Sequence, residues 1–301
     1  MEYLHKDKER FKEAIDLTVY RTGFAPEVVE KDYYITLLLK VLAAELSFIV
    51  FKGGTSLSKC HRVIERFSED VDLCVDTKLS QGQKKKVKET IVKLSEELGL
   101  KVVNAEQTRS RRDYNRYVIE YSPVYQNIEE VIKPVVLIET SYTTLAFPTI
   151  MLPVGNYVGE MLQIEAPDLL VEYGLESFEM KVQDIHRTLV DKVFAICDYY
   201  MQEKTENHSR HIYDIYKLLP LVKLDNLFAE LIREVREQRK ASSICVSAKD
   251  GINISEVLKE IVDKNVYKDD YQNLTEKLLL EKVPYEVALQ TLQEILDRKL
   301  F

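Results

Sequence analysis

Apolar residues recur every three or four positions over the first 45 residues, which is the spacing of one face of an α-helix. Phe11, Ile15 and Val19 carry the first such series. Pro26 suits the first turn of a second helix that runs through VVEKDYYITLLLKVLAAEL. The pattern predicts two opening helices.

The pattern then changes to short apolar runs that are typical of buried strands. SFIVF predicts a strand that enters a glycine turn and a helix beginning near Thr55, and the next strand carries Asp70 and Asp72. A lysine-rich amphipathic helix follows Ser80 and ends at Gly99. Further strands are predicted at KVVNAEQ, YVIEYS and VVLIETSY. The first half is therefore predicted to be a mixed α/β sheet layer.

Helical spacing returns from about Pro167 onward, in VQDIHRTLVDKVFAICDYYMQ, RHIYDIYKLLPLV and LDNLFAELIREVREQ. The fold class predicted is α/β in the α+β sense, with a sheet domain followed by a helical lobe. We predict opening helices over residues 1–47 that pack on the core, an α/β domain over 48–160 and a helical domain over 161–301.

The composition is that of an ordinary globular protein, with 46% hydrophobic and 31% charged residues in 301. A net charge of −8 means that any nucleic acid must meet a local basic patch. The four cysteines form no C-x-x-C pair, which favours reduced thiols and a cytoplasmic protein. Lys40 and Glu45 interrupt the longest apolar stretch, so no membrane span is expected.

A Gly-Gly-Thr-Ser sequence begins at Gly53, within KGGTSLSKCHRVIERFSEDVDL. Such a sequence at the start of a helix exposes backbone N–H groups that can bind phosphate, but it can equally be a tight strand-to-helix turn. The P-loop pattern G-x-x-x-x-G-K-[ST] is not met, so P-loop chemistry is not expected.

The D-x-D pair that follows favours the phosphate-binding interpretation. If Val71 and Leu73 belong to a strand, the side chains of Asp70 and Asp72 point to the same face. Two converging carboxylates suit Mg²⁺, which accepts carboxylate oxygens together with substrate phosphates. Glu139, at the end of VVLIE, is a candidate third ligand. The alternative is that the aspartates are surface acids on an edge strand.

The stretch RSRRDYNRY combines basic and aromatic side chains, a mixture suited to phosphate contact and base stacking. A solvated hairpin rim explains the same residues. The candidate RNA-binding residues are Arg109, Arg111, Arg112 and Arg116.

The segment FKGGTSLSKCHRVIERFSEDVDLCVD resembles the signature of the AbiEii-type nucleotidyltransferase-like toxins of bacterial abortive-infection and toxin-antitoxin systems. VEKDYYITLLLKVL resembles the segment that precedes this signature. DKVFAICD, with Lys192, and SRHIYDIYKL, with Arg210 and Asp214, resemble motifs of the family's helical lobe.

The resemblance implies a polymerase-beta-like nucleotidyltransferase domain followed by a helical domain. It assigns Mg²⁺ binding to Asp70 and Asp72, triphosphate contact to Lys192, and completion of the active site to Asp214. It assigns nucleotide binding to Lys52, Gly53, Gly54, Thr55 and Ser56. Glu139 departs from the aspartate that many nucleotidyltransferases have there.

The residues alone leave simpler interpretations open for the helical motifs. Lys192 lies in an amphipathic helix, where a lysine ordinarily faces solvent. Asp214 could pair with Arg210, four residues earlier on the same helix.

The resulting hypothesis is a Mg²⁺- or Mn²⁺-dependent nucleotidyltransferase that moves a nucleoside monophosphate from a nucleoside triphosphate (NTP) to an acceptor hydroxyl. The resemblance implies a growth-inhibiting toxin with a cognate antitoxin, and a tRNA 3′ end as acceptor. The alternatives are a nucleotide-binding protein without transferase activity that acts through protein contacts, and a nucleotidyltransferase that modifies a small molecule or a protein.

Overall fold

The computed structural model describes residues 2–66, 68, 70–125 and 132–301. The chain divides into two compact units. The first, termed the sheet unit, comprises Met1–Cys60, Glu69–Tyr142 and Thr149–Val182. The second, termed the helical unit, comprises His61–Ser68, Thr143–Pro148 and Gln183–Phe301. Among the described helices, none has both the length and the apolar character that a membrane crossing needs.

A seven-stranded mixed sheet has the strand order β3-β4-β5-β2-β1-β7-β6. Its strands are β1 (Ile49–Lys52), β2 (Asp70–Val75), β3 (Lys101–Val102), β4 (Tyr114–Glu120), β5 (Val135–Leu145), β6 (Thr149–Val154) and β7 (Phe178–Gln183). β1 pairs antiparallel with β2 and parallel with β7, and β4 pairs antiparallel with β3 and β5. Since β1 and β2 are central, the residues at their ends lie within the sheet and not at its edge.

Among the described residues, six α-helices precede β7: α1 (Lys8–Thr22), α2 (Pro26–Glu45), α3 (Gly53–Lys59), α4 (Gln81–Glu97), α5 (Tyr157–Glu165) and α6 (Pro167–Glu172). Asp7 caps α1 by accepting a hydrogen bond from the Arg10 N–H, and Gly23 ends the helix in the left-handed conformation. α2 packs against α1, α4 and α5, which explains why most of its side chains are buried.

Buried charged groups on α2 connect it to neighbouring helices of the sheet unit. The Asp32 carboxylate pairs with Lys59 at the end of α3 and accepts a hydrogen bond from the Tyr157 N–H at the start of α5. α2 therefore holds the end of α3 and the start of α5.

The helical unit contains α7 (Ile185–Met201), α8 (Arg210–Leu218), α9 (Asn226–Lys240), α10 (Ile254–Asp263) and α11 (Tyr285–Asp297). α7 packs against α8, α9 and α10, and α11 packs against α8 and α10. Short helical turns complete the described secondary structure: Leu4–Lys6, Leu219–Leu221, Val246–Ala248, Lys268–Asp270, Tyr271–Thr275 and Glu276–Leu278.

The α+β fold class predicted from the sequence is confirmed, with two differences in the assignment of strands. β6 and β7 were not expected, because Pro and Gly cluster before residue 160 and helical spacing was expected from about Pro167 onward. KVVNAEQ forms only the two-residue strand β3. β7 joins the sheet, α5 packs on α1 and α2, and the last stretch of the helical unit begins at Gln183.

Candidate active site

The glycine turn lies where β1 passes directly into α3. Gly53 has φ +78°, a left-handed conformation that favours glycine, and it follows the extended Lys52. The Ser56 hydroxyl donates to the Gly53 carbonyl (2.9 Å), and the Thr55 hydroxyl donates to the Asp70 carbonyl (2.6 Å). The Ser56 hydroxyl therefore stabilises the turn itself, and the Thr55 hydroxyl links the start of α3 to β2.

Asp70 and Asp72 lie next to this turn, on β2. The antiparallel register places Asp72 opposite Lys52, and Val71 is buried while both aspartates are half-buried. A Cβ atom built on Gly53 would overlap the carboxylate of Asp72, lying 2.9 Å from its Cγ. The carboxylate thus occupies the space that glycine leaves vacant, and the alternation of β2 turns Asp70 to the same face.

Glu139 lies on β5, the neighbour of β2, and makes two contacts with β4. Its carboxylate is 3.4 Å from Nε of Arg116, which faces it in the strand register. It also accepts a hydrogen bond from the hydroxyl of Tyr114. Partial burial, Glu139 and the charge of Asp72 raise the pKa of Tyr114 to about 12. These groups therefore share the sheet face that carries Asp72.

The donor set at this face fits a hard divalent cation. Within the described ranges, no group of three or more Asp, Glu, His or Cys side chains is close enough together to hold a metal ion. Two carboxylates are available, which is the number that Mg²⁺ commonly takes from a protein when substrate phosphates and water supply the other oxygens. Glu139, the candidate third ligand from the sequence, contacts Arg116 and Tyr114.

Lys192 and Asp214 meet inside the helical unit. Nζ of Lys192 donates to Oδ2 of Asp214 (2.6 Å), linking α7 to α8. Arg66 binds the same carboxylate with two hydrogen bonds of 2.7 Å, from Nε and from Nη2. Lys192 is only 6% exposed and Asp214 is fully buried, so the alternative of a solvent-facing Lys192 does not hold.

The electrostatics of this cluster keep Asp214 ionised. Burial alone would raise the pKa of Asp214, but the charges of Arg66 and Lys192 outweigh this effect and hold the pKa well below its usual range. A bidentate ion pair with a guanidinium group is among the strongest contacts available to a carboxylate. The partners of Asp214 are thus Lys192 and Arg66, and Asp214 fixes the direction of the Lys192 ammonium group.

Two other acids of the DKVFAICD motif have a scaffolding role. Arg239 of α9 donates to Asp191 (3.0 Å) and to Asp198 (2.7 Å), and Asp198 also accepts a hydrogen bond from the Ser247 N–H. These contacts hold α7 against α9 and therefore hold the helix that carries Lys192.

The arginine-rich stretch forms an exposed turn before β4, in the sheet unit. The Asn115 side chain accepts from the Arg109 N–H (2.8 Å) and donates to the Arg109 carbonyl (3.0 Å). Lys88 of α4 donates to the carbonyls of Ala105 and Thr108 (2.9 and 3.0 Å). Four arginine side chains project from this ordered turn and the strand beyond it: Arg109, Arg111, Arg112 and Arg116.

A profile of the AbiEii family, described as the nucleotidyl transferase AbiEii toxin of a type IV toxin-antitoxin system, matches residues 36–298. The chain belongs to the AbiEii nucleotidyltransferase toxin family. The match spans the glycine turn, the acid pair, Lys192 and Asp214, so the resemblance that the sequence motifs predict is confirmed. This AbiEii protein is therefore a nucleotidyltransferase of a toxin-antitoxin system.

A solved structure of MenT4, a nucleotidyltransferase toxin from Mycobacterium tuberculosis H37Rv, has a similar fold. The TM-score is 0.50 at 18% sequence identity, and the match covers 95% of this chain and 87% of that chain. At this identity the likeness shows the fold alone. A comparison with curated proteins finds no match.

Arg66 is the residue of the AbiEii cluster that sequence reasoning missed. It lies 148 positions from Asp214, and no local spacing connects the two residues. The only local signal was its place between the glycine turn and the D-x-D pair, within RFSEDVDL.

Proposed function

We propose that this AbiEii protein is a Mg²⁺-dependent toxin that transfers a nucleoside monophosphate from an NTP to the terminal hydroxyl of an RNA, with the tRNA 3′ end as acceptor. The observation that carries the proposal is the Asp72 carboxylate seated against Gly53, with Asp70 on the same strand face. Phosphate oxygens approaching the glycine backbone would there lie beside two carboxylates.

Asp70 and Asp72 would hold the metal ion in this proposal. They are half-buried oxygen donors on one rigid central strand, which suits an ion that demands regular geometry. The chemistry supplied by the bound ion is neutralisation of charge on the triphosphate and on the departing pyrophosphate. Glu139 is proposed to position Tyr114 and Arg116, which its carboxylate contacts.

The chain's own groups would bind and orient the nucleotide. Gly53 and Gly54 carry no side chain of their own, so their backbone would allow close approach of phosphate oxygens, with the Asp72 carboxylate beside Gly53. Lys52, Thr55 and Ser56 belong to the same proposed nucleotide-binding segment. Lys192 would contribute a cation to the triphosphate, and Asp214 would hold that cation in one orientation.

The transfer forms a bond between the acceptor oxygen and the α-phosphorus, and it breaks the bond between that phosphorus and the bridging oxygen of pyrophosphate. The hydroxyl proton is released to water. The proposed setting is the cytoplasm, where NTPs and tRNA are available, and all four cysteines are buried free thiols as that setting requires. A cognate antitoxin is the proposed protein partner.

Asp72→Asn tests this function, because it removes a metal-binding charge and preserves side-chain volume. The variant and the wild type are incubated with Mg²⁺, each α-³²P-labelled NTP and total tRNA, and labelled RNA is quantified. We expect transfer to fall at least a hundredfold with an unchanged circular dichroism spectrum. Asp76→Asn is the matched control, because Asp76 follows the same strand and pairs with Lys181. Full transfer by Asp72→Asn would contradict the proposal.

A further inference from the structure

The face of the sheet beside the acid pair continues across β5 onto β4, where it carries an aromatic and a cationic side chain. Tyr114 is 51% exposed, and the side chain of Arg116 is 50% exposed. They lie two residues apart on β4, so both project to the same face. Exposed tyrosine beside arginine is a combination suited to stacking with a base and contacting a phosphate.

Glu139 gives these two exposed side chains fixed positions. Its carboxylate accepts a hydrogen bond from the Tyr114 hydroxyl and pairs with Arg116 at 3.4 Å. The turn that precedes Tyr114 is itself anchored through Asn115 and Lys88. The ring and the guanidinium are therefore held in place before any ligand binds, which reduces the entropy lost on binding.

The strand order determines on which side of the acid pair this surface lies. Along the order β4-β5-β2-β1, the acid pair on β2 lies between the glycine turn at the end of β1 and the surface on β4. An in-line displacement brings the attacking oxygen to the α-phosphorus from the side opposite the leaving pyrophosphate. If the glycine turn binds the leaving phosphates, as the proposed function requires, the acceptor approaches from the side of β4 and β5.

We propose that Tyr114 and Arg116 bind the terminal nucleotide of a single-stranded RNA acceptor, with Glu139 as the positioning residue for both. The ring of Tyr114 stacks on the base, and Arg116 contacts the adjoining phosphate. The exposed arginines of the preceding turn extend this positive surface along the RNA backbone: Arg109, Arg111 and Arg112. This local charge contrasts with the net charge of −8 of the whole chain. The inference rests on the proposed function and assigns residues to its acceptor.

Steady-state transfer from α-³²P-labelled NTPs to purified total tRNA tests the assignment, with KM measured separately for tRNA and for nucleotide. Tyr114→Ala and Arg116→Ala are compared with Tyr20→Ala and Arg21→Ala. The controls match the tests closely, because Tyr20 is 89% exposed and Arg21 is an exposed arginine paired with Glu165. Tyr114→Phe is included because it keeps the stacking ring and removes only the hydroxyl.

We expect the KM for tRNA to rise about tenfold or more in Tyr114→Ala and Arg116→Ala, since loss of one stacked base contact has effects of this order. The KM for nucleotide should stay within about twofold of wild type, as should the KM for tRNA in both controls. Tyr114→Phe keeps the stacking ring but loses the hydrogen bond to Glu139, so it should raise the KM for tRNA less than Tyr114→Ala does. Glu139→Gln should raise the KM for tRNA to an intermediate value.

Two results would overturn the assignment and leave the proposed function standing. One is a tRNA KM in Tyr114→Ala and Arg116→Ala no different from the two controls. The other is an equal rise in the KM for tRNA and the KM for nucleotide, which would show that these residues do not act on the tRNA alone. Transfer exclusively to a protein or a small molecule would contradict the proposed RNA acceptor and the inference together. Absence of transfer by the wild type to any acceptor would contradict the proposed function and the inference together.

Discussion

Replacement of Gly53 by alanine would place a methyl group in the space that the Asp72 carboxylate occupies. Two costs follow from the structure. Gly53 has φ +78°, and a residue with a Cβ in the left-handed region costs about 1–2 kcal/mol. The added Cβ would also lie 2.9 Å from Cγ of Asp72 and closer still to its carboxylate oxygen, so the side chain must move, at a further cost of about 1–3 kcal/mol.

Gly23→Ala separates these two costs, because Gly23 has φ +71° and no atom within 4 Å of its added Cβ. Urea denaturation of both variants gives their free energies of unfolding. We expect the Gly53 variant to be less stable than the Gly23 variant by about 1–3 kcal/mol, the packing cost alone. Nucleotide transfer should fall at least a hundredfold in Gly53→Ala and stay at the wild-type level in Gly23→Ala. Equal stability of the variants together with normal transfer by Gly53→Ala would refute the reasoning.

Two buried acids give further predictions, each checked by urea denaturation across pH. Asp214→Asn leaves Arg66 and Lys192 beside a neutral amide and should lower the free energy of unfolding by about 3–5 kcal/mol. Because the pKa of Asp214 is depressed in the folded chain, this difference from wild type should be fully present at neutral pH and should shrink below pH 3.8. A constant difference would contradict it. Burial raises the pKa of Glu30 from 4.5 to about 7, so its protonation adds stability that is fully present below pH 4.5 and lost as the pH rises through 7. Glu30→Gln should flatten this loss, and an unchanged pH profile would count against it.

The elements that could be predicted from sequence are those whose pattern is local. Helical spacing predicts α1 and α2, and alternation around Val71 predicts the strand of the acid pair. β7 was missed although Phe178, Met180 and Val182 alternate, because the flanking segments are helical and its pairing partner β1 lies far away in sequence. Parallel pairing across such a separation leaves no local signal.

The candidate site also has residues that could be predicted from a local pattern and residues that could not. The glycine turn and the acid pair could be predicted because their residues lie within twenty positions of each other and a strand fixes the direction of alternate side chains. The burial of Lys192 could not, because it depends on the packing of α7 against α8, where Lys192 meets Asp214. The contacts of Glu139 depend on the register of β4 against β5, which separate segments of the chain bring together.

The central claim is that Asp70 and Asp72 bind a divalent cation together with an NTP held at the glycine turn. The most direct measurement is a crystal structure of the chain with Mn²⁺ and a non-hydrolysable NTP analogue, with anomalous scattering recorded at a wavelength where manganese contributes. We predict an anomalous peak within bonding distance of both carboxylates and of a phosphate oxygen of the analogue. Bound analogue without a manganese peak at these aspartates, or with both carboxylates turned toward bulk water, would contradict the account.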